Sequence, residues 1–222
     1  MNFNTILFDL DDTLLDRNRS LCTFIELFKA KYAHVLDYKG SLKFKDVFLE
    51  LDCSGYKPRD EMFKELLNAT SWRLKPELKE IMEYWNSEFP QCAVPVADLY
   101  RVLDYLQDKK MNMGIVTNSY TNFQYAKIDK LNLRKYMKTI IISEEVGVIK
   151  PSPDIYYLAL SRIDAKPDTT LFVGDYPSTD IKGAYDSQIT SAWLSYGKAW
   201  DIEAYKPNYI INDLSELINI VG

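Results

Sequence analysis

Three carboxylates follow an apolar run near the N-terminus. The segment FNTILFDLDDTLLD, residues 3–16, places Asp9, Asp11 and Asp12 at the end of this run and Thr13 just behind them. Carboxylates in this setting can act as nucleophiles, exchange protons and coordinate a hard cation. The D-x-D-x-T pattern alone is also typical of a strand that ends in an Asp- and Thr-rich turn, whose side chains bond their own backbone. The chemistry therefore has to be judged from the stretches that accompany it.

Two further stretches place polar groups where an anion would bind. In IVTNS, Thr117 and Asn118 end an apolar run directly before the helical pattern TNFQYAKIDKL. A hydroxyl and backbone N–H groups thus meet at a helix N-terminus, a setting that attracts phosphate. In GVIKPSPDIY, Lys150 precedes two prolines, which restrict the backbone from which this cation extends. The structural alternatives are ordinary helix capping for the first stretch and a solvated loop lysine for the second.

A fourth stretch, LFVGDYPSTDIKGA, brings two acids to the end of another apolar run. Gly174 permits close approach of the backbone, and Asp175 and Asp180 are separated by a turn. Such a pair of acids can bind a hard cation directly and through its water shell. Helix capping is the structural alternative for Asp180.

Short apolar runs alternate with helical patterns through the second half of the chain. Strands that are apolar on both faces and alternate with helices predict a parallel sheet covered on both sides. Ligands of such open sheets bind beyond the carboxyl ends of the strands, which is where the stretches described above lie. The predicted strands begin near Thr5 and cover 113–119, 139–145, 170–175, 190–195 and 208–213. The predicted helices of this half include 96–110 and 153–163.

Residues 17–92 follow a different pattern. They show amphipathic helical periodicity at 19–33, 43–52, 59–69 and 76–89, and no convincing strand. We therefore predict a helical domain inserted after the first strand. We expect most of its many aromatic side chains to pack between the helices.

Composition and charge exclude several classes of function. The 222 residues carry a net charge of -5 without a dominant Lys/Arg block, so we expect no nucleic-acid polymer as partner. Cys22, Cys53 and Cys92 are widely spaced and accompany a single histidine, which argues against a zinc site or a disulfide framework. The N-terminus has no basic leader, and no window approaches the roughly 20 apolar residues of a membrane span. We expect a cytoplasmic protein without membrane partners, either a monomer or a weak homodimer.

Taken in order, the four polar stretches resemble the signature of the haloacid dehalogenase superfamily of aspartate-nucleophile phosphotransferases. The resemblance covers the whole chain. It implies an α/β fold in which residues 1–16 and 93–222 form a Rossmann-like three-layer core with a parallel sheet. Residues 17–92 would be the inserted α-helical cap domain.

The resemblance implies a chemical role for three aspartates. Asp9 would attack phosphorus in line and form an aspartyl-phosphate. Asp11 would protonate the leaving oxygen and later deprotonate the attacking water. Mg²⁺ would be held by Asp9, the backbone carbonyl of Asp11 and Asp175, and would offset the repulsion between the nucleophile and a phosphate dianion. Dehalogenating members differ at the position of Asp11, so the resemblance favours hydrolysis or transfer of phosphate.

The resemblance also implies a set of phosphate-binding residues. Thr117, Asn118 and Lys150 would hold the non-bridging oxygens of the transferring group. Asp180 would order a metal-bound water or Lys150. Thr13 would brace the turn that follows the nucleophile.

The function predicted from these features is Mg²⁺-dependent hydrolysis of a small phosphorylated metabolite, with nucleoside monophosphates and sugar phosphates as candidate substrates. Two alternatives stay open. A phosphosugar mutase would need an aspartyl-phosphate that resists water, and a catalytically silent family member would bind or regulate. We expect residues 17–92 to select the substrate, because the core handles only the phosphoryl group. The sequence leaves open which metabolite is the substrate and whether Mg²⁺ is preferred over Mn²⁺.

Overall fold

The chain divides into two compact units. A computed structural model describes residues 3–37, 43–55 and 57–222. The units are Met1–Asp16 together with Pro95–Gly222, and Arg17–Val94. Among the described residues, the named strands all belong to the first unit.

Six parallel strands form the sheet of the first unit. They are β1 (Thr5–Phe8), β2 (Asn112–Thr117), β3 (Thr139–Ile142), β4 (Thr170–Gly174), β5 (Thr190–Leu194) and β6 (Tyr209–Ile211). Their order is β3-β2-β1-β4-β5-β6, so β1 lies between β2 and β4. Phe8, the last residue of β1, pairs with Ile115 on one side and Val173 on the other. The predicted parallel α/β sheet is confirmed.

Helices alternate with these strands in the first unit and make up most of the second. They are α1 (Arg17–Lys31), α2 (Phe44–Asp52), α3 (Arg59–Ala69), α4 (Leu78–Glu88), α5 (Leu99–Asp108), α6 (Thr121–Lys130), α7 (Ser143–Val146), α8 (Pro153–Ile163), α9 (Lys182–Asp186) and α10 (Leu217–Val221). Within the described part of the chain, no helix is long and apolar enough to cross a membrane.

The core of the first unit lies against the sheet. Every residue of β1 and of β4 is buried, as expected for strands covered on both faces. Helix α8 packs Ile155 and Ala159 into the same buried cluster as Leu7 and Phe172. The side chain of Ser152 accepts a hydrogen bond from the N–H of residue 154 and so caps the start of this helix. Strands β1 and β4 are therefore buried up to their carboxyl ends.

The second unit has an aromatic core. Phe24 and Phe28 of α1 are fully buried and contact Phe48 of α2, while Phe63 of α3 and Trp85 of α4 complete the cluster. The four helical patterns and the packing of the aromatic side chains are confirmed. The role of this unit as a cap domain stays a prediction.

The third strand is shorter than predicted. The expected run 139–145 is a strand only as far as Ile142, and α7 begins at the next residue. The polar residues there satisfy backbone groups of the loop that follows β2. Ser143 accepts a hydrogen bond from the N–H of Ser119 at 3.1 Å, and Glu144 accepts one from the N–H of Thr121 at 2.6 Å. These hydrogen bonds take the place of the strand-to-strand hydrogen bonds that a longer β3 would have made with β2.

Candidate active site

The predicted site residues converge at one edge of the sheet. Asp9 follows the last residue of β1, Thr117 ends β2 and Asp175 follows the last residue of β4. Because these three strands are parallel neighbours, their carboxyl ends lie side by side. Lys150 reaches the same place from the loop after α7.

Three carboxylates lie close together there. Asp9, Asp175 and Asp180 each offer one oxygen, and these oxygens all lie within 4.8 Å of one another. Burial raises the pKa of Asp9 and of Asp175, and the charge of Asp180 raises both further, although Lys150 opposes the shift. Crowded, partly dehydrated carboxylates of this kind suit a hard divalent cation, which would relieve their mutual repulsion. The donor set therefore fits Mg²⁺.

Lys150 lies between two of these acids. Its Nζ atom is 2.6 Å from Oδ1 of Asp9 and 2.7 Å from Oδ1 of Asp180, and the residue is only 3% exposed. Burial favours the neutral amine, but the two carboxylates outweigh it and raise the pKa of Lys150 above its ordinary value. The residue therefore carries a positive charge beside the candidate nucleophile.

The loop that carries Lys150 is fixed by Asn118. The side-chain amide of Asn118 donates to the carbonyl of Lys150 at 3.0 Å, and its carbonyl oxygen accepts from the N–H of Lys150 at 2.9 Å. The observed contact of the Asn118 side chain is thus with the backbone. Phosphate binding by Asn118 stays a prediction.

Asp180 is held in place by its own segment. It lies in a π-helical turn, Pro177–Ile181, and accepts a hydrogen bond from the N–H of Tyr176 at 3.0 Å. Tyr156 donates its hydroxyl to the carbonyl of Thr179 at 2.8 Å, which anchors the turn to α8. Gly174 makes room for the acid, since a Cβ atom there would lie 2.6 Å from Cβ of Asp180. Asp180 forms an ion pair with Lys150, and its role in ordering that residue or a metal-bound water stays a prediction.

Asp11 has partners that the sequence did not indicate. Its carboxylate accepts hydrogen bonds from Nζ of Lys127 at 2.7 and 2.9 Å and from Nε2 of Gln124 at 2.9 Å. The same Nε2 atom of Gln124 lies 2.7 Å from Oγ1 of Thr117. Both residues belong to α6, where their spacing of three places them on one face of the helix. In the sequence they are two polar residues three positions apart, a spacing that is common in helices and does not identify their partners.

The turn after Asp9 is shaped by the backbone and by a distant tyrosine. The N–H groups of Thr13 and Leu14 both donate to the carbonyl of Leu10, at 3.3 and 2.9 Å. The hydroxyl of Tyr196 donates to the carbonyl of Asp12 at 2.9 Å. The hydroxyl of Thr13 is buried without a hydrogen-bond partner among the described residues. Its bracing role stays a prediction, and any such role comes from packing.

Comparisons with known proteins agree on one family and one fold. A family model described as haloacid dehalogenase-like hydrolase matches residues 6–194. Pyrophosphatase PpaX of Oceanobacillus iheyensis is 28% identical over 233 residues, covering 100% of this chain and 98% of that protein. The glyceraldehyde 3-phosphate phosphatase of Methanocaldococcus jannaschii is 26% identical over 226 residues, covering 97% and 96%. The crystal structure of YfnB from Bacillus subtilis, bound to magnesium, shares the fold with a TM-score of 0.81 at 24% identity over 100% of both chains.

Proposed function

Because the chain belongs to the haloacid dehalogenase-like hydrolase family, we propose that it is a Mg²⁺-dependent phosphatase of a small phosphorylated metabolite. The observation that carries this proposal is the buried group of Asp9, Lys150 and Asp180 with Asp175 beside it. The names of two relatives support it, since one is called a pyrophosphatase and the other a glyceraldehyde 3-phosphate phosphatase. Nucleoside monophosphates and sugar phosphates are the substrate classes to test.

The first chemical step would transfer the phosphoryl group to Asp9. A carboxylate oxygen of Asp9 forms a bond to phosphorus while the bond from phosphorus to the leaving oxygen breaks. Asp11, which must be protonated when the substrate is bound, gives its proton to that leaving oxygen, so the product departs as a neutral alcohol. The enzyme is then left with an aspartyl-phosphate and an ionised Asp11.

The second step would return the enzyme to its starting state. A water oxygen bonds to phosphorus, the bond between phosphorus and the oxygen of Asp9 breaks, and a water proton passes to Asp11. Inorganic phosphate leaves. Hydrolysis is thereby divided into two displacements that use the same pair of aspartates.

Positive charge and hydrogen-bond donors would stabilise the transferring group during both steps. Lys150 is charged and lies beside Asp9. Thr117, whose side chain carries a hydroxyl group, is the last residue of the neighbouring strand β2. Asp9, Asp175 and the backbone carbonyl of Asp11 would hold Mg²⁺, and Asp180 would order a metal-bound water or Lys150. The bound cation would supply Lewis-acid polarisation of the phosphoryl oxygens.

The test is phosphate release from a panel of nucleotides, sugar phosphates, small phospho-acids and pyrophosphate. Wild type is compared with Asp9→Asn in Mg²⁺ and in EDTA, and Asp168→Asn is the matched control because Asp168 is exposed on the same unit. We expect metal-dependent release by wild type and by the control, and none by Asp9→Asn. Equal release by Asp9→Asn would exclude this nucleophile.

The alternative functions predict different results in the same assay. A phosphosugar mutase would move labelled phosphate between positions of a sugar without releasing it. A silent binding or regulatory protein would neither release phosphate nor form an acid-stable phosphoprotein when incubated with the panel.

A further inference from the structure

Helix α6 presents two buried polar side chains for which the proposed mechanism has no role. Gln124 is 0% exposed and Lys127 is 3% exposed. Burial of a lysine or an amide is costly unless its hydrogen bonds are satisfied. The ammonium group of Lys127 and the amide nitrogen of Gln124 have acceptors, whereas Oε1 of Gln124 is buried without a hydrogen-bond partner among the described residues. Both side chains direct their donors at residues of the candidate site, Asp11 and Thr117.

Gln124 connects the candidate acid–base residue with the candidate phosphate ligand. Its amide nitrogen carries two protons and has two acceptors, Oδ2 of Asp11 at 2.9 Å and Oγ1 of Thr117 at 2.7 Å. A threonine hydroxyl has one proton to donate. Because Thr117 accepts the bond from Gln124, its own proton is available for another acceptor. A phosphoryl oxygen at the end of the strand would be such an acceptor.

Lys127 restrains Asp11 from the interior. Its ammonium group contacts both carboxylate oxygens, at 2.7 and 2.9 Å, and lies 4.7 Å from the centroid of the Phe123 ring. The side chain of Asp11 is 26% exposed, whereas that of Lys127 is 3% exposed. Lys127 therefore contacts the carboxylate of Asp11 on its buried side, while part of that carboxylate stays exposed to solvent.

We propose that Gln124 and Lys127 are positioning residues that orient Asp11 toward the leaving oxygen and the hydroxyl of Thr117 toward the phosphoryl group. Neither needs to touch the substrate. A single helix, α6, would thus align proton donation by Asp11 with phosphoryl binding by Thr117. This helix begins four residues beyond the end of β2. This inference rests on the proposed phosphatase function.

The test separates positioning of the acid from a merely structural role. A nitrophenolate leaving group departs as a stable anion, whereas an alkoxide needs a proton. We therefore compare kcat/KM for p-nitrophenyl phosphate with that for the best alkyl phosphate of the panel. The parameter kcat/KM covers the steps up to leaving-group departure, so slower hydrolysis of the aspartyl-phosphate does not enter it.

Lys127→Met should be selective for the leaving group. We expect kcat/KM to fall about 100-fold or more for the alkyl ester, within the usual range for general acid catalysis, and less than about 10-fold for the nitrophenyl ester. Lys130→Met is the matched control, because Lys130 is exposed on the same helix, and it should leave both values unchanged. Thermal unfolding of each variant checks that the fold persists.

A second variant covers the case in which Lys127→Met does not fold. Gln124→Met keeps the volume of the side chain and removes its donors. We expect kcat/KM to fall for both esters, because Thr117 would serve the phosphoryl group common to both, and to fall further for the alkyl ester.

The outcomes distinguish this inference from the proposed function. If wild type hydrolyses both esters and the variants lower both values by the same factor, the positioning role is wrong and the phosphatase function stands. If wild type hydrolyses neither ester, the phosphatase function is wrong and the inference fails with it.

Discussion

Gly174→Ala is the substitution whose effect follows most directly from the geometry. A Cβ atom at Gly174 would lie 2.6 Å from Cβ and 2.5 Å from Cγ of Asp180, and closer still to one carboxylate oxygen. The side chain of Asp180 is short, and its carboxylate is held by the N–H of Tyr176 and by Lys150. A movement of the carboxylate alone therefore cannot relieve the clash. The acid must move, and its ion pair with Lys150 must lengthen.

The magnitude follows from two costs. Forcing extra atoms into a packed interior costs about 1–3 kcal/mol. Loss of one partner from a buried ion pair costs about 3–5 kcal/mol, but Lys150 keeps Asp9, so the lower end applies. With the low end of each range, we expect a total of about 4 kcal/mol. At about 2–4 °C per kcal/mol for a chain of this size, Tm should fall by about 8–16 °C.

The assay is thermal unfolding of matched variants. Gly197→Ala is the control, because Gly197 also lies in the first unit, has a φ of +80° and has nothing within 4 Å of the position that a Cβ atom would take. It should cost only backbone strain, about 1–2 kcal/mol. If phosphate release is established, Gly174→Ala should also lower kcat/KM about 100-fold, since a shift of about 1 Å in a positioning group has that effect.

A double-mutant cycle can refute the reasoning. Asp180→Gly removes all the Asp180 side-chain atoms, Cβ included, that the new methyl group would meet. In that background Gly174→Ala should cost less than about 1 kcal/mol. An equal loss of stability in both backgrounds, or no loss in either, would show that contact with Asp180 is not the cause.

Two further predictions concern charge. Burial raises the pKa of Asp9 and Asp175, so the folded protein without metal binds these protons more tightly than the unfolded chain does, and its stability falls as pH rises above about 4. Mg²⁺ should therefore raise Tm more at pH 8 than at pH 5.5, and an equal or larger increase at the lower pH would contradict the assignment of these ligands. In the second unit, burial favours a neutral Asp52, but hydrogen bonds and charges from Arg17 and Arg59 outweigh it and lower the pKa of Asp52. Asp52→Asn should lower the free energy of unfolding in urea by about 3 kcal/mol, and this unit should lose stability as pH falls. A loss below about 1 kcal/mol would show that the ion pairs of Asp52 contribute little to stability.

The sheet and most helices could be predicted from local patterns. Apolar runs of four to six residues between helical periodicities indicate buried parallel strands, because only strands covered on both faces are apolar throughout. The same rule placed Asp9, Thr117 and Asp175 at one edge, since parallel neighbours end together. The predicted strand 139–145 was too long because the contacts that end it, to Ser119 and Thr121, come from another loop.

The contacts within the candidate site could not be predicted from local sequence patterns. Lys150 meets Asp9 across 141 positions of the chain, and Lys127 meets Asp11 across 116. Resemblance to a family indicated Lys150, but Lys127 and Gln124 have the spacing of ordinary polar residues of a helix, which does not say what they contact. The direction of the Asn118 side chain, toward the backbone of Lys150, was equally invisible.

The sequence by itself determined which elements form and which chemical groups stand at their ends, because hydrophobic periodicity and turn residues act over a few positions. Only the tertiary structure decided which of those groups touch. The strand order brings β1 between β2 and β4, and packing then places α6 and the Lys150 loop around Asp9 and Asp11. Such contacts depend on distances between segments more than a hundred residues apart, which no local pattern encodes.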